Sequence, residues 1–198
     1  MIKVIAFNGS PRAEGNTTIL IRKVFQELEK ENIGTELISF AGKKISGCVG
    51  CYKCFEKKNN RCAINDEPQD FVNTCIDKML DADGIILASP TYVLNITANM
   101  KAFMERVTLV GFANKGMLKH KVGASIAATR RAGAIHTLQS MNSFFSCFEM
   151  FSVGSHFPAM AVGLEKGEVE NDAEGLESMR TLGQNMAFLL KKLHTKLM

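Results

Sequence analysis

The sequence predicts an α/β protein with a five-stranded parallel sheet, covered on both faces by helices as a doubly wound, three-layer sandwich. The main observation is that five short apolar runs alternate with five amphipathic stretches along the chain. Strands that alternate with helices favour crossover connections and parallel pairing. A second observation is the lack of repeats or linkers, so we expect residues 1–198 to form one domain. A cysteine-rich loop, residues 46–64, is expected to be inserted after strand two.

The first half of the chain contains two predicted strands and two predicted helices. Residues 3–7 (KVIAF) form a buried apolar run before an Asn-Gly turn, and residues 35–40 form the second strand. Asn16 is the predicted N-cap of the first helix. The second helix is expected to begin at Asp66, with Pro68 in its first turn. The apolar positions at helical spacing are Ile21, Val24, Phe25 and Leu28 in the first helix, and Val72, Cys75, Ile76 and Met79 in the second.

The second half contains three predicted strands and three predicted helices. Residues 84–88 (GIILA) form strand three, which we expect a Ser-Pro step to stop. Residues 122–128 form strand four, and the range 151–162 contains strand five. Three apolar faces predict the helices that follow these strands: Met100, Phe103, Met104 and Val107; Ile135, Leu138, Met141 and Phe145; and Leu176, Met179, Leu182, Met186, Leu189 and Leu193.

The composition argues against several classes of protein. The formal net charge is +4, and the lysines and arginines are spread along the chain, so no nucleic-acid partner is expected. No apolar run is long enough to span a bilayer, and the first apolar stretch is too short for a signal peptide. We therefore expect a cytoplasmic protein with no membrane contact. Disulfides are rare in that compartment, where clustered cysteines indicate metal or redox chemistry.

The parallel sheet predicts where a ligand binds. Ligands of such sheets lie at the carboxyl ends of the strands, where the strand order reverses. The functional loops should therefore be residues 9–18, 89–95 and 129–133, which follow strands one, three and four.

The first of these loops has the character of a phosphate site. It leads from a strand into a helix N-terminus, where backbone N–H groups and the helix dipole favour an anion. The glycine spacing matches neither a nucleoside-triphosphate loop nor a dinucleotide fingerprint. A loop of hydroxyls and amides with little cationic charge suits a phosphate monoester. The alternative is that these polar residues simply cap a helix. The candidate ligands are Ser10, Arg12, Asn16, Thr17 and Thr18.

Four cysteines, Cys48, Cys51, Cys54 and Cys62, follow the spacing C-x2-C-x2-C-x7-C. Overlapping CxxC turns suit thiolates that surround one compact iron-sulfur cluster, whereas structural zinc usually takes two well-separated CxxC pairs. Basic neighbours such as Lys57 would offset the negative charge of such a cluster. Zinc, free thiols and disulfides remain alternatives. The other two cysteines, at positions 75 and 147, are expected to be buried core thiols.

Two motifs resemble a known family. GSPRxxGNT in the first loop and SPTY in the second, the latter followed by Asn95, resemble the flavin loops of the NADPH-dependent FMN reductase family, which has a flavodoxin-like fold. The resemblance implies that the first loop binds the phosphate of FMN. It also implies that the second and third loops contact the flavin ring, through Pro90, Thr91, Tyr92 and Asn95 and through Thr129, Arg131 and Gly133.

The cysteine stretch resembles the compact motif of the iron-sulfur flavoproteins, a branch of the same family. This resemblance implies a 4Fe-4S cluster, electron transfer between a redox carrier and a small acceptor, and a homodimer or homotetramer. Ferredoxin or NAD(P)H is the expected electron donor, and no side chain is expected to act as a catalytic acid or base. The alternatives are a cluster-free NAD(P)H-dependent FMN or quinone reductase, and a thiol-based redox sensor.

Overall fold

The computed structural model describes residues 1–65 and 71–195 of the chain. Strands and helices alternate along it, as the sequence predicts. The strands are β1 (Lys3–Asn8), β2 (Gly34–Ser39), β3 (Gly84–Pro90), β4 (Val122–Thr129), β5 (Phe151–Ser152) and β6 (Met160–Val162). The helices are α1 (Asn16–Lys30), α2 (Lys53–Lys57), α3 (Phe71–Asp81), α4 (Ala98–Ala113), α5 (Ala134–Cys147) and α6 (Ala173–Thr195), with a 3₁₀ turn at Glu168–Asn171.

The strands form a single parallel sheet with the order β2-β1-β3-β4-β5, and β6 also pairs with β4. The chain moves from β1 to β2 on one side and then crosses to β3 on the other, so the strand order reverses between β1 and β3. The loops that follow these two strands therefore meet at the switch point, where a parallel sheet binds its ligand.

Each face of the sheet has its own hydrophobic core. Alternate residues of β1 point to opposite faces, so that Val4 and Ala6 join one core while Ile5 and Phe7 join the other. Helices α1 and α6 cover the first core, and helices α3, α4 and α5 cover the second. The three-layer prediction is confirmed, because both faces of every central strand are buried.

The fifth strand differs from the prediction. It is divided into β5 and β6, which pair with opposite ends of β4: Val122 with Phe151, and Ala127 with Met160. Between them lies a segment that contains Gly154 and Pro158, and both residue types interrupt strands. The sheet thus has five strand positions, of which the fifth is occupied by two short segments.

Strand β3 continues through Pro90, although the Ser-Pro step was expected to end it. Pro90 pairs with Ala128 of β4, while the pairing of β1 with β3 stops at Ala88. The proline lies beyond the end of β1, so it interrupts no bond to that strand.

The N-cap prediction at Asn16 is wrong. Gly15 is the cap of α1, its φ and ψ angles are extended, and Asn16 is the first helical residue. The side chain of Asn16 instead bonds to residues 163–167 in a distant loop.

The structure also differs from the sequence predictions in the cysteine-rich loop and at two side chains of α5. The cysteine-rich loop contains a short helix, since α2 includes Cys54. Cys75 is buried as expected, but Cys147 is exposed because it lies on the outward side of α5 with Ser143 and Ser146. Ile135 is also exposed, because α5 buries the adjacent positions 134, 137 and 138 instead. The expected helix start at Asp66, with Pro68, lies outside the described residues.

None of the helices in the described ranges combines the length and the apolar character that crossing a bilayer requires.

An ionic contact on edge strand β2 predicts a pH-dependent stability. The pKa of Glu36 is lowered from its ordinary value of 4.5, chiefly by a hydrogen bond from Lys78 and further by Lys3, against the opposing effect of burial. A carboxylate with a depressed pKa stabilises the fold above its unfolded-state pKa, and this contribution is lost as the pH falls through the folded-state pKa. We expect Glu36→Gln to lower the free energy of unfolding at pH 7 by about 0.5–1 kcal/mol.

Urea unfolding of both proteins between pH 2 and pH 7 measures this effect. The difference between Glu36→Gln and the natural protein should disappear at the acid end of the series. A difference that stays constant with pH would contradict the prediction.

Candidate functional site

The first loop is shaped by Asn8, a fully buried residue at the end of β1. Its Oδ1 accepts a 3.0 Å hydrogen bond from the Ser10 backbone N–H, and its Nδ2 donates a 2.9 Å bond to Thr18 Oγ1. The Thr18 hydroxyl in turn donates to the Ala13 carbonyl at 2.7 Å. The Ser10 hydroxyl oxygen accepts a 3.1 Å bond from the Arg12 backbone N–H, so Ser10 and Thr18, both predicted phosphate ligands, have hydroxyls engaged within the loop. Their observed contacts fix the shape of the loop.

Asn16 connects the first loop to the segment after β6. Its Nδ2 lies 3.2 Å from the Gly163 carbonyl oxygen and 2.9 Å from that of Glu165, and its Oδ1 accepts a 2.8 Å bond from the Gly167 N–H. The side-chain amide is thus satisfied at both ends by a fourth loop, residues 163–167. The three predicted loops did not include this segment.

The second loop begins at the end of β3 and contains a tight reversal. The backbones of Tyr92 and Asn95 bond to each other in both directions, at 2.8 and 3.1 Å. Between them, Val93 and Leu94 have φ angles of 48° and 65°, in the left-handed region that a β-branched residue rarely adopts. Both side chains are exposed, Val93 by 98%. A strained, apolar loop tip therefore stands at the edge of the candidate site.

The third loop follows β4 and lies against the second. The Thr129 hydroxyl donates a 3.1 Å bond to the Ala132 carbonyl. Gly133 has a φ angle of 90°, and a Cβ atom at this position would lie 2.7 Å from the Leu94 Cα. Only glycine fits here, because both the backbone conformation and the approach of the second loop exclude a side chain.

Thr97 joins the first and second loops. Its hydroxyl donates to the Gly9 carbonyl at 2.8 Å, and its backbone N–H donates to Ser89 Oγ at 3.1 Å. The same hydroxyl accepts a 3.3 Å bond from the Met100 N–H as the N-cap of α4. This buried threonine thus fixes the relative position of the loops after β1 and β3.

A cavity of about 150 Å³ lies where the loops converge. Seven of the twelve predicted cofactor ligands line it: Arg12, Asn16, Thr17, Pro90, Thr91, Tyr92 and Thr129. Its other lining residues are Ala128, Arg130, Gly163 and Leu164. Tyr92 also borders a second, open groove of about 750 Å³, which includes Asn95, Lys101 and Met104.

The other four predicted ligands do not line either space. Ser10, Thr18 and Gly133 support the loops through the contacts described above. Arg131 is exposed, and its neighbour Arg130 takes the place in the cavity wall that was expected for it.

The four clustered cysteines surround a separate, small cavity. Cys48, Cys51, Cys54 and Cys62 all line it, together with residues of α4 that include Arg106 and Leu109. Its volume is about 20 Å³, which is enough for a water molecule. The chain turns sharply around it, with positive φ angles at Gly50 and Tyr52. None of these four cysteines is in a disulfide.

Two buried side chains hold Cys62 in place. Asn73 of α3 accepts a 2.8 Å bond from the Cys62 N–H and donates a 3.0 Å bond to its carbonyl oxygen. Arg106 of α4 donates from Nε to Cys62 Sγ at 3.3 Å. The fourth cysteine, which the sequence separates from the other three, is therefore fixed at the cavity by two helices.

Cys54 differs from the other three thiols. It is 9% exposed and its pKa is raised, first by burial and further by the nearby Cys62 and Cys51. Within the described part of the chain, no group of three or more His, Cys, Asp or Glu side chains has the geometry to hold a metal ion. The cysteines thus share a cavity but do not form a preset coordination shell.

Sequence reasoning missed four residues that organise these two sites: Asn8, Asn73, Thr97 and Arg106. Asn8 had a local signal, since a polar residue that ends a buried strand often bonds to the following loop. Thr97 had one too, since threonine is a favoured N-cap and its hydroxyl accepts a bond from the Met100 N–H, but its bond to Gly9, 88 positions away, had none. Asn73 and Arg106 bond to Cys62 from 11 and 44 positions away, and no local pattern could have indicated these contacts.

The family model for NADPH-dependent FMN reductases matches residues 2–164 of the chain. Among curated proteins, an iron-sulfur flavoprotein of Methanocaldococcus jannaschii is 39% identical over 199 residues, which cover 96% of this chain and 98% of that protein. An iron-sulfur flavoprotein of Methanosarcina thermophila is 28% identical over 194 residues, which cover 96% of each chain.

Solved structures with low sequence identity have the same fold. The structure of RosB with bound 8-demethyl-8-formylriboflavin-5'-phosphate superposes with a TM-score of 0.73 at 19% identity, covering 98% of this chain and 81% of that one. A flavodoxin from the domain Archaea superposes with a TM-score of 0.60 at 16% identity, covering 96% and 99%. The predicted flavodoxin-like fold is confirmed.

Proposed function

Because the chain belongs to the NADPH-dependent FMN reductase family, in its iron-sulfur flavoprotein branch, we propose that it is an electron-transfer oxidoreductase that binds FMN where the three loops meet. The observation that carries this proposal is the convergence of the loops after β1, β3 and β4 on one cavity at the switch point of the sheet. Parallel sheets bind their ligands at that position.

The residues present fit FMN. The 150 Å³ cavity suits the phosphate, with the N-terminus of α1, the Thr17 hydroxyl and the side chains of Arg12 and Arg130 in its wall. The adjoining 750 Å³ groove, which shares Tyr92 with the cavity, has room for a flat ring. Tyr92 would flank that ring, and the close contact between Gly133 and Leu94 would hold the two ring-side loops together.

The cysteine cavity supports the second part of the proposal, a 4Fe-4S cluster ligated by Cys48, Cys51, Cys54 and Cys62. Thiolates are the ligands that such clusters take, and the four thiols share one cavity. The cavity of about 20 Å³ has room for about one water molecule, so the cysteine-rich loop would open outward when the cluster binds. FMN exchanges electrons in pairs or singly and a 4Fe-4S centre moves them one at a time, so the two together link two-electron and one-electron partners. The names of the curated relatives support the same assignment.

We further propose ferredoxin or NAD(P)H as the electron donor and a homodimer or homotetramer as the assembly. The family description supports a nicotinamide donor, and the iron-sulfur names of the relatives support a one-electron carrier. The chain itself supplies binding and orientation. No side chain at the FMN cavity needs to act as a general acid or base.

A cluster-free NAD(P)H-dependent FMN or quinone reductase is the second candidate. The observation that favours it is that the cysteines are not arranged in a preset metal geometry within the described residues. Anaerobic purification followed by flavin, iron and acid-labile sulfide assays separates the two. We expect one FMN and about four irons and four sulfides per chain, and visible spectra that bleach with dithionite. Flavin without iron would support the second candidate, and a colourless protein that takes up no FMN would exclude both.

Gly133→Ala should weaken FMN binding and destabilise the fold. The positive φ angle costs about 1–2 kcal/mol for alanine, and the new Cβ would also collide with the Leu94 backbone. We expect the FMN dissociation constant to rise at least tenfold, as measured by fluorescence titration.

Gly116→Ala is the matched control for this substitution. Gly116 has a φ angle of 80°, but a Cβ there meets nothing within 4 Å. It should show the strain cost in urea unfolding without a change in FMN affinity. Equal FMN affinities of the two variants would contradict the proposed role of the contact between Gly133 and Leu94 in FMN binding.

A further inference from the structure

Arg106 on α4 is a fully buried cation beside the cysteine cavity. Its Nε lies 3.3 Å from Cys62 Sγ, and one of its terminal nitrogens lies 2.6 Å from the Ile64 carbonyl oxygen. Burying a guanidinium is costly unless its N–H groups are bonded, so its position requires these acceptors. One of the acceptors is a predicted cluster ligand.

Both ends of the Nε–Sγ contact are held by the fold. Neighbouring residues of Arg106 on α4, Phe103 and Val107, are fully buried in the core. On the other side, Asn73 bonds to both backbone groups of Cys62. Neither partner can turn away without breaking buried contacts. The N–H is therefore directed at this sulfur by tertiary structure and not by the cysteine loop itself.

We propose that Arg106 tunes the reduction potential of the cluster through its hydrogen bond to Cys62 Sγ. The inference rests on the proposed function, because it requires that Cys62 is a cluster ligand. Reduction adds one electron and neither forms nor breaks a bond, so the reduced form carries one more negative charge. An N–H that donates to a ligand sulfur stabilises that charge and raises the potential.

The exposed basic residues near the cysteine cavity are an alternative source of positive electrostatic potential that could raise the reduction potential of the cluster. Lys53, Lys57 and Lys58 lie in or next to α2, and all three are exposed. Exposed charges are screened by water and salt, so each should affect the potential weakly. The hydrogen bond from Arg106 is buried and is screened much less.

Arg106→Lys separates the hydrogen bond from the charge. In lysine a methylene occupies the chain position of Nε and cannot donate, while the ammonium keeps the positive charge. Arg106→Met removes both the donor and the charge. Lys57→Met is the control, because it removes an exposed charge three positions from Cys54. Each variant is purified anaerobically, and its cluster potential is measured by dithionite titration followed by electron paramagnetic resonance.

We expect Arg106→Lys to lower the equilibrium constant for cluster reduction about tenfold, which is a shift of 59 mV to more negative potential for a one-electron couple. Arg106→Met should shift it further, and Lys57→Met should shift it by less than either. An unchanged potential in Arg106→Lys would overturn the proposal, whatever Arg106→Met shows. So would an equally large shift in Lys57→Met.

Failure of the proposed function and failure of the role of Arg106 would give different results. If the natural protein contains no iron or sulfide, the cluster itself is excluded; if it contains the cluster and Arg106→Lys has the same potential, only the role of Arg106 fails. If Arg106→Lys cannot be loaded, a crystal structure of the loaded natural protein decides. Nε within hydrogen-bonding distance of Cys62 Sγ would support the proposal, and a greater separation would overturn it.

Discussion

Replacement of Cys51 by alanine is expected to remove most of the iron and leave the flavin in place. Cys51 lines the four-cysteine cavity, and its exposed side chain contributes little to folding. Three remaining thiolates cannot complete the coordination of a 4Fe-4S cluster. Iron and sulfide should fall from about four per chain to below about one, while FMN stays near one, because the FMN cavity is built from other loops.

Cys147→Ala is the matched control. Cys147 is also an exposed free thiol, but it lies at the end of α5 and not at the cysteine cavity. This variant should keep both cofactors. Full iron content in Cys51→Ala would show that the four cysteines do not bind the cluster, and equal iron loss in both variants would point to general damage.

Asn8→Asp is expected to weaken FMN binding about 100-fold, or by about 2.7 kcal/mol. Aspartate keeps the acceptor for the Ser10 N–H but cannot donate to Thr18 Oγ1, whose own hydrogen is directed at Ala13. The new carboxylate oxygen and Thr18 Oγ1 would then face each other with no hydrogen between them. The negative charge of the carboxylate would also lie beneath the proposed phosphate-binding loop and repel the phosphate. Riboflavin has no phosphate, so its affinity should fall much less. Fluorescence titration with both flavins measures the two effects.

Gln26→Glu makes the same chemical change on the exposed face of α1. It should leave the affinity for both flavins unchanged. If Asn8→Asp reduced FMN and riboflavin affinity equally, the loop after β1 would not be the phosphate site.

Local sequence signals were sufficient to predict the layers of the fold and the loops that converge on one cavity. The continuous apolar run at residues 3–7 predicted a buried strand, which is β1, and the alternation of strands and helices predicted a parallel sheet with a switch point, which lies between β1 and β3. The polar composition of the first loop and the spacing of the four cysteines identified two groups of residues, each of which borders a cavity. These features depend on residues that are close in the chain.

Features that depend on distant residues could not be predicted in this way. Asn16 resembles an N-cap in its local sequence, but its amide is used by residues 163–167, so Gly15 takes the cap. Cys62 is positioned by Asn73 and Arg106, which belong to two later helices. Such contacts are decided by the packing of α3 and α4, and tertiary packing overrides local preference.

Cys54 anchors the cysteine-rich loop to the rest of the fold. Its side chain packs within the hydrophobic core on the α3–α5 side of the sheet, and its Sγ lies 3.7 Å from the Leu109 carbonyl oxygen of α4. Oxidation of this sulfur by air would place a charged sulfinate or sulfonate in an apolar interior. Oxidation at this position would therefore weaken the packing of the cysteine-rich loop against α4, and the oxidised protein should be cleaved faster by proteases than the reduced one.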